Sequence, residues 1–392
     1  MDIRHFGFLR QIITIGFTAF GGPMAHLSLI FKILVDRRKY LKEEELLELL
    51  ALCQLLPGPT STQLLMAIGY KRGGWVLAFA TLICWTLPVF LLVLGVLFFL
   101  HIFEAKGKDL YFLQYMGPMS VGFIAFAALR LSKSIVYSKS TFFILLVSFL
   151  LTVFFRTPYA FPLILIFGGL SSFLWLEQKK PKAKQPRQRI QIQWRYLGIF
   201  LGVLVLAAIL GGITKSKPIL LFENTYRFGS IIFGGGQVLI PMLYEQFVEF
   251  KAYLTAEQFL SGYGIMQAMP GPVFAFVSYL GGMSMRELGL SGQLLGAVIA
   301  TVGIFLPGSL LIVFILPVWE KFKKIKFIHQ SLLGINLAAA GMVCGAAYII
   351  LESIGFEWSN VLLAVVTILV LQFTKIPPPF IVLAFIVLGL YT

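Results

Sequence analysis

Pro57-Gly58-Pro59 and Pro270-Gly271-Pro272 each interrupt an apolar run, "CQLLPGPTSTQLL" and "MQAMPGPVFAFVS". Proline removes a backbone donor and clashes with the preceding turn, so a helix ends before each triplet and another starts at its second proline. A helix N-terminus carries about half a positive charge and free N–H groups, which together bind anions. Gly21-Gly22-Pro23 follows the same logic: glycines let a ligand reach the backbone, and Pro23 opens the next helix. Its counterpart, Gly234-Gly235-Gly236, lacks the proline and is expected to be a more flexible break. Around the breaks stand Gln54, Thr60, Ser61, Gln63, Gln237 and Gln267, neutral hydrogen-bonding side chains suited to an oxyanion that is held and then released. His26 adds an imidazole, either a donor to an anion or a packed structural ring. Lys32 and Glu245, equivalent positions of opposite charge, are candidates for a pair or for carrying coupling charge, or else snorkel at helix ends.

The elements that must carry these breaks are apolar helices. Of 392 residues, 58% are hydrophobic and 12% charged, with mean hydropathy +0.89; a soluble domain is about 25% charged. Runs at 75–100, 141–155, 196–213, 296–318 and 380–390 approach or exceed the ~20 residues that cross a bilayer as a helix. They are continuous and do not alternate, which predicts an all-α polytopic membrane protein and not a barrel. The first apolar run has no A-x-A-type site after it, so it is expected to stay in the mature protein. The net charge of +15 sits in short loops, and no basic face interleaves aromatics, so the expected partner is the bilayer and not nucleic acid. Cys53, Cys84 and Cys344 are isolated, and the Glu43, Glu44, Glu45 and Glu48 cluster has no histidine near it. Neither a disulfide frame nor a metal site is expected. P-loop, H-E-x-x-H and G-x-S-x-G motifs are absent, so no cofactor and no enzymatic activity are expected.

Shifting the sequence by 213 positions aligns Phe20-Gly21-Gly22 with Phe233-Gly234-Gly235, Tyr40-Leu41 with Tyr253-Leu254, Gln54 with Gln267, and the two triplets. Thirteen of the fifty positions in 20–69 are identical without a gap, and after a six-residue insertion Leu87-Pro88 matches Leu306-Pro307. Equivalent loops swap their positive charge. The first carries Arg37, Arg38, Lys39 and Lys42, while its counterpart at 249–255 keeps only Lys251; the next is balanced at 101–109 but carries Lys321, Lys323, Lys324 and Lys326 in the second half. The swap predicts two inverted-topology repeats with broken or re-entrant helices at the Gly/Pro motifs. The expected layout is an N-terminal repeat (1–176), a basic cytoplasmic linker (177–195), an unpaired transmembrane helix (196–213) and an inverted C-terminal repeat (214–392). In one version 6–35 and 46–71 are re-entrant hairpins and the chain crosses nine times; in a second, each crosses once, which strands Arg37, Arg38 and Lys39 outside. Arg130 and Arg156 read as span-end anchors, while Lys71 and Arg72 either anchor topology or draw anions toward a vestibule. Gly198, Gly202, Gly289, Gly292 and Gly296 would serve a homodimer or packing within one chain.

The motifs "FGGPMAH", "LLPGPTSTQ", "FGGGQVLIPML" and "MPGPVFAF" resemble the chromate ion transporter family in its long, fused two-repeat form, over essentially the whole chain. The resemblance implies export of chromate, a tetrahedral sulfate-like dianion, across the inner membrane, conferring chromate resistance, with sulfate as competitor or counter-substrate. On that resemblance Gly21, Gly22, Pro23, His26, Pro57, Gly58, Pro59, Thr60, Ser61, Gln63, Gly234, Gly235, Gly236, Gln237, Pro270, Gly271 and Pro272 occupy motif positions. Without it, the residues predict a gradient-driven transporter of a small oxyanion, proton-coupled or exchanging anions, and do not separate chromate from sulfate, molybdate or phosphate. A passive channel would need a continuous polar pore, and a scaffold or sensor a soluble domain; the sequence favours neither.

Overall fold

In a computed structural model, the described residues are 3–106, 111–175, 194–233, 236–319 and 326–391. They form sixteen α-helices joined by short π and 3-10 stretches, with no strand among them. The expected basic linker up to residue 193, Gly234, Gly235 and the loop at 320–325 lie outside the described residues.

The first half opens with α1 (Ile3–Thr18), which stops at a left-handed turn, Gly21 at φ 93° and Gly22 at φ 79°. The chain turns back as α2 (Gly22–Ile30), which runs on as a π-helical stretch, Phe31–Arg37. Phe8, early in α1, meets Tyr40, just past that stretch, edge to face at 5.5 Å. Entry and exit therefore lie on the same side, and the segment is a re-entrant hairpin. The next hairpin pairs α3 (Glu43–Leu55) with the start of α4 (Thr60–Ala105), turned by Gly58 at φ 116°. Lys71 Nζ on α4 bonds Glu45 Oε1 at the head of α3, 2.8 Å apart, closing this mouth too. Helix α4 kinks at Gly73 and Gly74 and then runs to Ala105. Then come α5 (Met116–Ile135), α6 (Lys139–Phe154), α7 (Ala160–Trp175) and α8 (Trp194–Thr214).

The second half repeats the pattern. Helix α9 (Lys217–Ile231) pairs with α10 (Gly236–Tyr244), which also continues as a π-helical stretch, Glu245–Phe250. Helix α11 (Ala256–Gln267) pairs with α12 (Phe276–Ser284), and α13 (Gly289–Ile315) follows. Lys217 Nζ sits 3.2 Å from Glu287 Oε2 and 5.3 Å from the Tyr253 ring centre, so these mouths close together as well. Backbone irregularities recur in the 213 register, Lys39 and Ala252 both at φ 49° and Gly58 and Gly271 at 116° and 104°, and a further pair lies inside the insertion, Gly74 and Gly289 at 68° and 69°. Last come α14 (Lys326–Ile354), α15 (Trp358–Phe373) and α16 (Pro378–Tyr391).

The repeats are inverted and interlocked. From its kink, α4 reaches Val89 beside Gly271 after about 22 Å, and Leu97 beside Gly282 about 12 Å further on. The first-half mouth lies at one end of α4 and the second-half mouth toward the other. Reciprocally, Leu310 and Val313 of α13 bury with Leu52 and Leu65 of the first hairpins, while Val89 and Val93 of α4 bury with Leu239 and Phe276 of the second. Small residues let the remaining helices approach closely. Gly122 of α5 abuts Ala364 and Thr367 of α15, and Gly341 of α14 abuts Leu145 and Ser148 of α6, the same contact displaced by 219 positions throughout.

Five stretches, containing α4, α5, α8, α13 and α14, are long and apolar enough to cross a bilayer. Helices α6, α7, α15 and α16 have 16, 16, 16 and 14 residues, about 21–24 Å each against a hydrocarbon core of about 30 Å. Of the glycines expected at a dimer contact or in packing, Gly292 and Gly296 pack within the chain against Leu288, Met285 and Gly281, whereas a methyl on Gly198, Gly202 or Gly289 would meet nothing within 4 Å.

Candidate functional site

Four hairpin tips, two from each half, meet in the interior. Gly271 N–H donates to Ala19 O at 2.9 Å, and Gly58 N–H donates to Ile232 O at 2.7 Å. Ala19 and Ile232 are themselves repeat equivalents, each just past the end of α1 or α9. One carbonyl at each of those C-terminal ends is thereby satisfied by the opposite half. The negative ends of two helix dipoles are tied off, and the N-terminal ends of α2, α4 and α10 are left facing the interior. Glycine is required at both triplets: besides the left-handed φ, a methyl on Gly58 would lie 3.3 Å from Gly308 Cα, and one on Gly271 would lie 3.1 Å from Val89 Cβ.

The tips enclose a cavity of about 20 Å³ lined by His26, Pro59, Thr60, Ser61, Gly236 and Pro272, among others. His26 is 1% exposed. Its Nδ1 is 3.3 Å from Ser61 Oγ, its ring stands edge-on to Trp85 at 5.4 Å, and its Nε2 has no partner. Trp85 is fixed in turn by donating to Thr62 Oγ1 at 3.0 Å. A buried imidazole nitrogen without a partner is costly unless a ligand visits it. Thr60, Ser61 and Gly236 also line a vestibule of about 460 Å³, whose far wall is α5 and α14 and which includes Gly21, Gln54, Arg130 and Asn336. Gln267, the equivalent of Gln54, lines a cavity of only about 20 Å³ with Gly21, Gly22, Pro270, Gly271 and Pro272. Around the tips the cavity is therefore wide on one side of the pseudo-symmetry and narrow on the other.

The remaining expected residues divide. Pro23 opens the first turn of α2. Gln63 Nε2 donates to Pro57 O at 2.8 Å and to Gly308 O at 3.3 Å, clamping the Pro57-Gly58-Pro59 tip, while its Oε1 is buried without a partner. Gln237 belongs to α10 by its backbone, and Gly234 and Gly235 lie outside the described residues. Lys32 is exposed and Glu245 only 4% exposed, with no ion pair between them. Lys71 and Arg72 line a separate cavity at the first mouth, of about 440 Å³; Arg72 donates to Tyr40 O and lies 4.3 Å from that ring's centre. Arg130, expected as a span-end anchor, is exposed near the C-terminal end of α5 and also lines the vestibule. The signal available was its i, i+4 spacing to Ser134, which puts both on one helix face, but nothing in the sequence says what that face meets.

A family model described as chromate transporter matches residues 6–173 and again 219–390. The chain belongs to the chromate transporter family. The two matches fall on the two hairpin-bearing halves, so the family unit is the repeat seen in the backbone. The family is one of transporters and not of enzymes, and this chain is a multi-pass membrane transporter. It is 29% identical over 390 residues to a chromate transport protein of Cupriavidus metallidurans, covering 97% of this chain and 92% of that one. A transporter of Methanocaldococcus jannaschii is 25% identical with the same coverage, and a chromate transport protein of Pseudomonas aeruginosa 24%, covering 88% and 81%. No solved structure matches the chain.

Proposed function

We propose that the chain carries chromate, or a sulfate-like oxyanion, out of the cytoplasm across the inner membrane by alternating access, and so confers chromate resistance. One observation carries the reading: the opposed halves satisfy each other's helix C-termini, leaving N-terminal N–H groups and the unpartnered Nε2 of His26 around one cavity. Partial positive charge without a fixed countercharge suits an anion that must also leave. The substrate assignment leans on the named relatives in Cupriavidus metallidurans and Pseudomonas aeruginosa. The first-half mouth, with Arg37, Arg38 and Lys39 beside it, is the cytoplasmic one by charge. Transport runs on a proton or counter-anion gradient, and Lys32 and Glu245, both in π-helical stretches of the kind that recur at functional sites, are the coupling candidates.

The test is flux of chromate and sulfate in proteoliposomes under imposed pH or counter-anion gradients. Saturable, gradient-dependent chromate movement is expected. Protein that moves neither anion under any gradient would sink the reading, and movement of sulfate alone would reassign the substrate. Flux rising linearly with concentration without saturation would favour a channel.

A further inference from the structure

The vestibule holds a single ionisable side chain among its described lining residues, and it has no countercharge. Arg130 lies on α5 with Ala127 and Ser134 on the same cavity wall, facing Gln54 of α3 and Asn336 of α14. Among the described residues no carboxylate lines this space, and Arg130 makes no ion pair or hydrogen bond with any of them. Arg156, by contrast, is held by Glu352 at 2.6 Å, and Arg227 by Glu223 at 2.9 Å. Arg130 is exposed and lies about one and a half turns from the C-terminal end of α5, within reach of the membrane–water interface, on the wall that lines the vestibule. The repeat adds a second observation. The register of 219 set by the Gly122 and Gly341 contacts makes Ile349 the equivalent of Arg130, and Ile349 is buried at 7% exposure. The charge therefore exists on the open side only.

We propose that Arg130 is the charge-recognising residue of the vestibule, taking an edge of the tetrahedral dianion in a bidentate fork before Thr60, Ser61 and the helix N-termini receive it. The planar fork matches two oxygens of such an anion, which a lysine's point charge does not. Because Ile349 replaces it in the other half, capture is one-sided, and the vestibule side is the loading side. This deepens the oxyanion-transport reading and rests on it.

The test compares wild type, Arg130→Lys and Arg130→Gln in proteoliposomes, reading the half-saturating chromate concentration separately from the maximal rate. Loss of a charged hydrogen bond predicts a rise of about 10- to 100-fold for Arg130→Gln, with the maximal rate little changed, and a smaller rise for Arg130→Lys. A second measurement needs no variant: dicarbonyl modification of wild-type arginines, located by mass spectrometry with and without chromate or inorganic sulfate. Either anion is expected to protect Arg130 and leave Arg156 unchanged. Unprotected Arg130, or an unchanged half-saturating concentration in Arg130→Gln, overturns the assignment while leaving wild-type flux intact. Absence of wild-type flux would instead fail the transport reading itself.

Discussion

Two glycines bear most of the architecture at the centre of the molecule. Gly58 and Gly271 hold backbone conformations that side chains with a Cβ rarely adopt, and each donates its N–H across the repeat interface. Replacing either with valine adds about 1–3 kcal/mol of backbone strain and drives a branched side chain into Gly308 or Val89. Gly58→Val and Gly271→Val are expected to insert in the membrane yet lose at least about tenfold in chromate flux, because the tips no longer hold their spacing. Full flux in either variant would mean the breaks only kink helices. His26 presents a different case. Its Nδ1 lies against Ser61 Oγ and its ring against Trp85, which leaves the unpartnered Nε2 as the atom to test. His26→Ala should raise the half-saturating chromate concentration about tenfold, the worth of one hydrogen bond to a charged group, with melting in detergent shifted much less than in the glycine variants. Unchanged affinity would return His26 to a packing role.

At the scale of the helix, the hairpins were legible in the sequence, because Pro57, Pro59, Pro270 and Pro272 can neither continue a helix nor donate, and the register of 213 repeated them. Of the two layouts the sequence left open, the Lys71–Glu45 bond and the Phe8–Tyr40 contact select the hairpin. What each side chain faces was not legible. Gln63 has the chemistry of a ligand donor, yet the fold commits it to Pro57 O and Gly308 O. The second half puts Phe276 at the same place, edge-on to Phe259 and Tyr263 at 5.1 and 5.7 Å, and holds its tip by ring packing instead. Nor was the place of Arg130 on the vestibule wall legible, because helical periodicity shows which residues share a face but not that α14 leaves a gap opposite it. The clamp has its own consequence. Gln63→Leu should cost about 1–3 kcal/mol through lost hydrogen bonds and an unpaired carbonyl, seen as a lower melting temperature in detergent, with chromate affinity falling less than in His26→Ala. An affinity loss with no loss of stability would move Gln63 back into the binding site.

For the whole molecule, the telling feature is an asymmetry within a symmetric plan. On the closed side Ser120 Oγ donates to Leu260 O at 2.8 Å, drawing α5 onto α11, and Tyr263 is buried at the small cavity. On the open side Ala339, the equivalent of Ser120, lines the vestibule instead. The proposed alternating access requires the two sides to exchange: α3 closing toward α14 while α11 parts from α5 around tips that stay joined. Helix α5 runs along both sides. Ser120 lies one turn into the second-half hairpin from its mouth, and Ser134 is about 21 Å further along, toward the first-half mouth and Arg38. In a background lacking the three native cysteines, Ser134→Cys and Arg38→Cys should react with a membrane-impermeant maleimide from the same face, the cytoplasmic one, and Ser120→Cys from neither. Chromate should slow labelling of Gln54→Cys, which lines the same vestibule as Arg130. Labelling of Ser134→Cys and Arg38→Cys from opposite faces would break the re-entrant topology. Ser120→Cys reacting as fast as Ser134→Cys would show both halves equally open, and the one-sided state would have to be abandoned even if the interlocked tips survive.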